Sequence, residues 1–169
     1  PLGFSSEANY AAVKAGESAI RRHDGTFGVP QLFAASLFER ELVMAKAAEC
    51  GIPSGLSFFD TICLISAKLA LEGSGVDTRS PRTAFVLSTI KGNVELLADK
   101  DADESKVLLG SSASLLGEFF GNPNPVEVVS NACISGVCAL IQASRMIEDG
   151  SYDHVVVVGA EVQSSFIIS

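Results

Sequence analysis

Val126-Glu127-Val128-Val129-Ser130-Asn131-Ala132-Cys133-Ile134-Ser135-Gly136 reads as a buried β-strand that runs straight into a cysteine, and the cysteine opens a long apolar helix. From Ile134 to Ile147 the only charged residue is Arg145, and Ser135, Gly136, Ala139 and Ala143 are small enough for close packing. A helix apolar nearly all round is a buried helix. Gly150, just past Glu148-Asp149, serves as its C-cap. The two acids sit at the unfavourable end of the helix dipole, an effect Arg145 offsets in part. The next segment, His154-Val155-Val156-Val157-Val158-Gly159, reads as a fully buried strand. Strand, cysteine, buried helix and buried strand make a βαβ-type unit. Such a unit places the thiol at the carboxyl end of a strand, where open α/β sheets put their sites.

A thiol between strand and helix meets converging unpaired N–H groups and the positive end of the dipole. Both favour a thiolate, the nucleophilic form, so Cys133 is a candidate for covalent catalysis. The competing reading is a small, inert core thiol. From these residues alone the two stand level.

Elsewhere the pattern is that of an ordinary α/β chain. A helix is expected from Ser5-Ser6 to about Lys14, and Gly25 to Pro30 is a loop. The stretch 34–49 reads as an amphipathic helix with Leu37, Phe38, Leu42, Val43 and Ala47 on one face, closed by Gly51. A second helix runs from Ser57 to Glu72, with Asp60 three residues after the Ser57 cap, and ends at Gly73-Ser74-Gly75. Phe58, Ile62, Ile65 and Leu69 recur at helical spacing and belong to the core. Thr83-Ala84-Phe85-Val86-Leu87 is a strand, and the acidic stretch 93–106 is surface. Residues 108–120 form a helix ending at Gly121, in which Ser111-Ser112-Ala113-Ser114 is either a start cap or a close packing face.

The 169 residues suit one domain with a substantial core, and the 47% hydrophobic content agrees. A formal charge of −8 argues against a general nucleic-acid binder. It also opposes an acidic protein partner unless a local basic patch exists; Arg21-Arg22, or Lys68 with the Arg79 to Arg82 stretch, could supply one. The four cysteines, Cys50, Cys63, Cys133 and Cys138, show no CxxC and no histidine at metal-ligand spacing, so no metal is expected. Cys133 and Cys138 do not share a helix face, and Cys63 and Cys138 lie in apolar runs; neither bridge nor ligand set is expected. That usage fits a reducing, cytoplasmic setting. There is no signal-peptide pattern and no apolar run of transmembrane length. His23 lies in a polar, Arg-flanked stretch and His154 begins a strand; neither sits in a recognisable base motif.

Asn131-Ala132-Cys133-Ile134-Ser135-Gly136 resembles the nucleophile motif of the β-ketoacyl synthases. Pro1-Leu2-Gly3 and Ala15-Gly16-Glu17-Ser18-Ala19-Ile20 are similar to that family's opening motifs. Gly121-Asn122-Pro123-Asn124-Pro125 stands where the family carries Gly-x-x-Gly-Pro, and Gly159-Ala160-Glu161 resembles its Gly-Gly-x-Glu turn. The resemblance implies a thiolase-like fold, layered α/β with a mostly parallel or mixed central sheet. Residues 1–169 would be its N-terminal half, without the short first strand and the C-terminal half. It implies that Cys133 accepts an acyl chain from an acyl carrier protein or coenzyme A, with its backbone N–H in the oxyanion hole. Ala132, Ile90 and Ser135 would line the substrate pocket, no cofactor would be needed, and two histidines of the second half would assist. A homodimer or a ketosynthase heterodimer is implied. Two departures stand out. Lys91 and Asn93 occupy what is usually a glycine-rich loop near the acyl pocket, and the connector from that loop to Cys133 is shorter than usual. Two alternatives remain: a non-catalytic, chain-length-factor-like partner of a ketosynthase, and another thiolase-family condensing enzyme, such as a thiolase or a synthase that uses a Cys-His-Asn set.

Overall fold

A computed structural model describes residues 2–168. Pro1 of the opening motif and Ser169 of the apolar tail lie outside the described residues. The elements, in order, are α1 (Ser6–Lys14), β1 (Arg21–His23), β2 (Phe33–Ala35), α2 (Arg40–Glu49), α3 (Phe58–Leu71), β3 (Thr83–Ser88), α4 (Leu109–Phe120), β4 (Glu127–Val129), α5 (Ser135–Glu148), β5 (His154–Gly159) and α6 (Ser165–Ile168). β4, β3 and β5 form a parallel sheet in that spatial order, and β1 pairs with β2 in a separate antiparallel ribbon. The chain therefore leaves β4, crosses one face of the sheet as α5, and returns as β5 on the far side of β3.

β3 is the reason the layers form. All six of its residues are buried. Its side chains alternate between two packing layers, as a pleated strand requires. Phe85 and Leu87 enter a core with Phe59, Cys63, Leu64 and Leu116 from α3 and α4, and Ala84 and Val86 pack with Ala139 and Met146 of α5. Helices on both faces of a parallel sheet give three layers, the expected α/β arrangement.

The caps behave as the residue types dictate. The Ser5 hydroxyl accepts from the Ala8 N–H at 3.1 Å, and Ser57 accepts from the Asp60 N–H at 2.9 Å. Gly121 ends α4 in the left-handed region at φ 63°. Ser112 and Ala113 are buried, so the serine-rich run is a packing face rather than a cap.

Four expectations are corrected. The helix expected over 34–49 begins only at Arg40, because Phe33–Ala35 pairs with Arg21–His23. Of its expected apolar face only Val43 and Ala47 are buried, and Leu42 lies exposed. β4 is a half-buried edge strand and β5 is only partly buried; the buried strand is β3 between them. α5 is not buried all round. It buries Ser135, Ala139, Ala143 and Met146, while Val137, Leu140 and Ile141 are exposed at 60%, 62% and 47%.

Candidate functional site

Cys133 lies at the carboxyl end of β4 in a 3-10 turn, Ala132–Ile134, that leads into α5. The α-helix begins at Ser135, so the cysteine precedes it rather than opening it. Ala132 has φ 46°, a left-handed backbone that costs an L-residue energy. Strain of this kind concentrates where a fold must present a group at a sharp corner. Ser135 holds the corner shut: its hydroxyl accepts from the Asn131 N–H at 2.8 Å and donates to the Ala132 carbonyl at 2.7 Å. The Asn131 amide reaches the Cys138 sulfur at 3.4 Å.

The four cysteines divide clearly. All are free; Cys50 and Cys63 are buried, Cys138 is half-buried, and Cys133 is exposed. Burial, then the nearby Asp60 and Glu161 carboxylates, push the Cys63 thiol far above its ordinary range. Cys63 is thus a core thiol, as expected; Cys138, expected in the core as well, is only half-buried, and Cys133 is the exposed one of the four.

Cys133 faces a shallow open cleft of about 330 Å³. Ala132, Ser135 and Ile90, the three expected pocket residues, line it with Cys133, so the structure brings all four together. The opposite wall elements come from two strand ends. Ile90 belongs to the turn after β3, and Gly159, Ala160 and Glu161 to the end of β5. Glu161 is the contributor that motif reading placed only as a turn residue. Its Oε1 accepts from the Thr89 hydroxyl at 3.1 Å and from the Ile90 N–H. The Ala160 N–H donates to Ser88 O at 3.3 Å, so the end of β3 and the turn after it are tied to the segment following β5 by three hydrogen bonds.

Asn93 does not line the cleft and is not surface, contrary to the reading of the acidic stretch. It is buried, and its amide nitrogen lies 3.0 Å from Asp60 Oδ2, 3.0 Å from Lys106 O and 3.1 Å from Ser112 Oγ. It therefore fastens the segment after β3 to α3 and α4. Lys91, by contrast, is exposed.

The remaining candidates have structural contacts. His23 stacks on Phe33 at 5.3 Å, and its Nε2 lies 3.2 Å from Ala35 O. His154 is an exposed residue at the start of β5, at the end remote from Cys133. The expected basic patch is largely engaged: Lys68 donates to Cys50 O, Arg21 to Ser18 O, and Arg82 to Asp153. Gly121-Asn122-Pro123-Asn124-Pro125 is a splice between strands. The amides of Asn122 and Asn124 both donate to Thr83 O, at 2.9 Å, which sets β4 beside β3. Among the described residues no cluster of three or more His, Cys, Asp or Glu is placed to hold a metal, and no helix is long and apolar enough to cross a membrane.

With this geometry in place, likeness to known proteins sharpens it. Residues 129–168, which contain Cys133, match the family model of 3-oxoacyl-[acyl-carrier-protein] synthase III. The chain is 35% identical over 72 residues to the β-ketoacyl-[acyl-carrier-protein] synthase III of Porphyra umbilicalis, a match covering 43% of this chain and 21% of that protein. The same enzyme of Porphyra purpurea matches equally. In solved structures, the ishigamide ketosynthase/chain length factor superposes with a TM-score of 0.72 over 94% of this chain, at 20% identity. The chain spans 49% of that structure's chain, and its matched segment about a fifth of the curated relatives. The fold is thiolase-like, shared with that ketosynthase/chain length factor. Segments of the chain, the one carrying Cys133 among them, resemble β-ketoacyl-[acyl-carrier-protein] synthase III.

Proposed function

We propose that residues 1–169 form the N-terminal, nucleophile-bearing domain of a β-ketoacyl synthase that performs a decarboxylative condensation in fatty-acid or polyketide synthesis. The observation that carries the reading is the exposed Cys133, set by a left-handed Ala132 at the end of β4, inside the segment that matches the synthase family model.

In this reading the Cys133 thiolate attacks the carbonyl carbon of an acyl thioester. The new C–S bond gives a tetrahedral adduct, which collapses with cleavage of the old C–S bond, and the carrier leaves as a thiolate that takes up a proton. A malonyl-type extender then loses carbon dioxide, and its carbanion attacks the acyl-cysteine. The β-ketoacyl thioester departs on the extender's carrier, and Cys133 is released as thiolate. The N–H of Cys133 lies where a helix start leaves backbone donors without intrahelical acceptors, so it is available to the oxyanion of each tetrahedral intermediate. Two histidines, or the histidine and asparagine of a Cys-His-Asn set, would come from the second half. Ala132, Ile90 and Ser135 are the pocket residues of this proposal.

The acyl donor is an acyl carrier protein or a coenzyme A thioester, and the working acyltransferase is a cytoplasmic dimer. The exposed apolar face of α5 supports assembly with further protein, since large apolar patches mark interaction surfaces. A second reading, a non-catalytic partner within a ketosynthase heterodimer, draws support from the likeness in fold to the ishigamide ketosynthase/chain length factor. Cys133 itself weighs against it, because a scaffold has no need of the thiol.

Intact-protein mass spectrometry after incubation with an acyl thioester or cerulenin tests the proposal. One adduct, mapped to Cys133 and lost in Cys133→Ala, is expected. Equal labelling of the Cys133→Ala protein would sink it.

A further inference from the structure

We propose that Glu161 is a positioning residue that makes the Cys133 cleft select for apolar chains, by holding the Ile90 turn in place as one of its walls. The idea rests on the proposed function for its bearing on acyl groups, but its geometry and its test do not. The Glu161 carboxylate is the shared acceptor for two donors of one turn, the Thr89 hydroxyl at 3.1 Å and the Ile90 N–H. Thr89 is buried, and its Oγ1 in turn accepts from the Gly92 N–H at 3.2 Å. Gly92 takes the left-handed φ of 53° and lies against Leu109 at the start of α4, where a Cβ would meet Leu109 Cδ2 at 2.6 Å. Thr89 is anchored below while Ile90 projects at 38% exposure into the cleft that Cys133 shares with Ala132 and Ala160. An apolar chain attached to the sulfur therefore meets the Ile90 side chain beside Ala132 and Ala160, in a cleft that Thr89, Ser135 and Glu161 also line, and the Ile90 wall depends on a carboxylate that makes no hydrogen bond with the thiol among the described residues.

Burying one methylene is worth roughly 0.8 kcal/mol, about a four-fold rate preference when the contact is made in the transition state. The chain length of an alkylating reagent thus reports the wall directly. Rates of Cys133 modification by N-ethylmaleimide and by N-hexylmaleimide are measured on the native protein by peptide mass spectrometry, and their hexyl-to-ethyl ratio is compared. In Glu161→Ala the ratio should fall about three- to five-fold, by the loss of roughly one methylene's worth of contact. Ile90→Ala should lower it to a similar extent. Glu161→Gln should restore it, because the amide oxygen can accept the same two bonds. A purely structural role for Glu161 would change both rates by one factor and leave the ratio alone; that result overturns the proposal, as does a Gln variant that behaves like the Ala variant. Should Glu161→Ala fail to fold by circular dichroism, Thr89→Val removes one of the two tethers at equal volume, and an unchanged ratio there overturns the proposal equally. Failure of Cys133 to accept an acyl group from a thioester would remove the proposed function but leave the maleimide ratio readable.

Discussion

The Ser135 hydroxyl donates to the Ala132 carbonyl at 2.7 Å across the turn that presents Cys133, while accepting from the Asn131 N–H at 2.8 Å. One buried side chain thus closes the corner from both sides. Its donor is already committed, so Ser135 contributes to the cleft by shape rather than by a free hydroxyl. Ser135→Ala should cost about 1–2 kcal/mol, since a carbonyl and an N–H lose their partner near the protein interior. Urea unfolding measures it. Acylation of Cys133 by a thioester should fall in the same variant, whereas alkylation by iodoacetamide should change little, because the sulfur is exposed in either case. Equal loss with both reagents would contradict the bracing role.

Ala132 makes an opposite prediction at the neighbouring position. Its φ of 46° is unfavourable for any residue with a Cβ and most so for a branched one. Ala132→Val should destabilise by about 1–2 kcal/mol. Ala132→Gly should be neutral or stabilising by no more than about 1 kcal/mol, the relief of strain being set against the freer unfolded chain. Thermal unfolding of the pair checks the order. A valine variant as stable as the parent would show that the corner is not strained.

The two faces of α5 should respond to substitution in contrary ways. Leu140 is 62% exposed, and Leu140→Lys should change stability by no more than about 0.5 kcal/mol. Ala139 is fully buried against Ala84 and Val86, and Ala139→Leu should cost about 1–3 kcal/mol through overpacking. Denaturant midpoints decide. A heavy cost for Leu140→Lys would restore the fully buried helix that the sequence pattern suggests.

That helix marks where sequence reading stopped. The α/β class, β3, the caps of α1 and α3 and the position of Cys133 at a strand end were legible, because each rests on local chemistry: a short continuous apolar run, a hydroxyl acceptor, a strand followed by small residues. Burial of α5 was not, since apolar composition shows what a helix could bury but not what stands beside it. The start of α2 was missed for a related reason. Phe33-Ala34-Ala35 is equally consistent with a helix and with the strand that Arg21–His23 imposes from a distance. Glu161 was visible only as part of a turn motif, because its partners Thr89 and Ile90 lie 72 and 71 residues away. Asn93 looked like one polar residue in an acidic stretch, and only the packing of α3 and α4 makes it a buried fastener.

Arg82 and Asp153 give the last prediction, at the end of the sheet away from the thiol. The guanidinium holds the carboxylate with two bonds, at 3.1 and 2.6 Å, joining the starts of β3 and β5. It also donates to Gly150 O at 2.8 Å and Ser151 O at 3.1 Å, clasping the link between α5 and β5. The hydrogen bond from Arg82 holds the Asp153 carboxyl below its usual range. A carboxyl lowered in the folded state adds stability that is fully present above its unfolded pKa of about 3.9 and fades as pH falls through the folded value. Asp153→Asn should therefore unfold at lower urea than the parent at pH 7, with the gap closing below about pH 4. Both groups are exposed, so the gap should be small and should shrink in high salt. Arg82→Ala should lose more than Asp153→Asn at pH 7 and keep part of its deficit in acid, because the two carbonyl contacts do not titrate. A gap between Asp153→Asn and the parent that stays constant from pH 7 to pH 3 would show that the carboxylate charge plays no part in joining the strands.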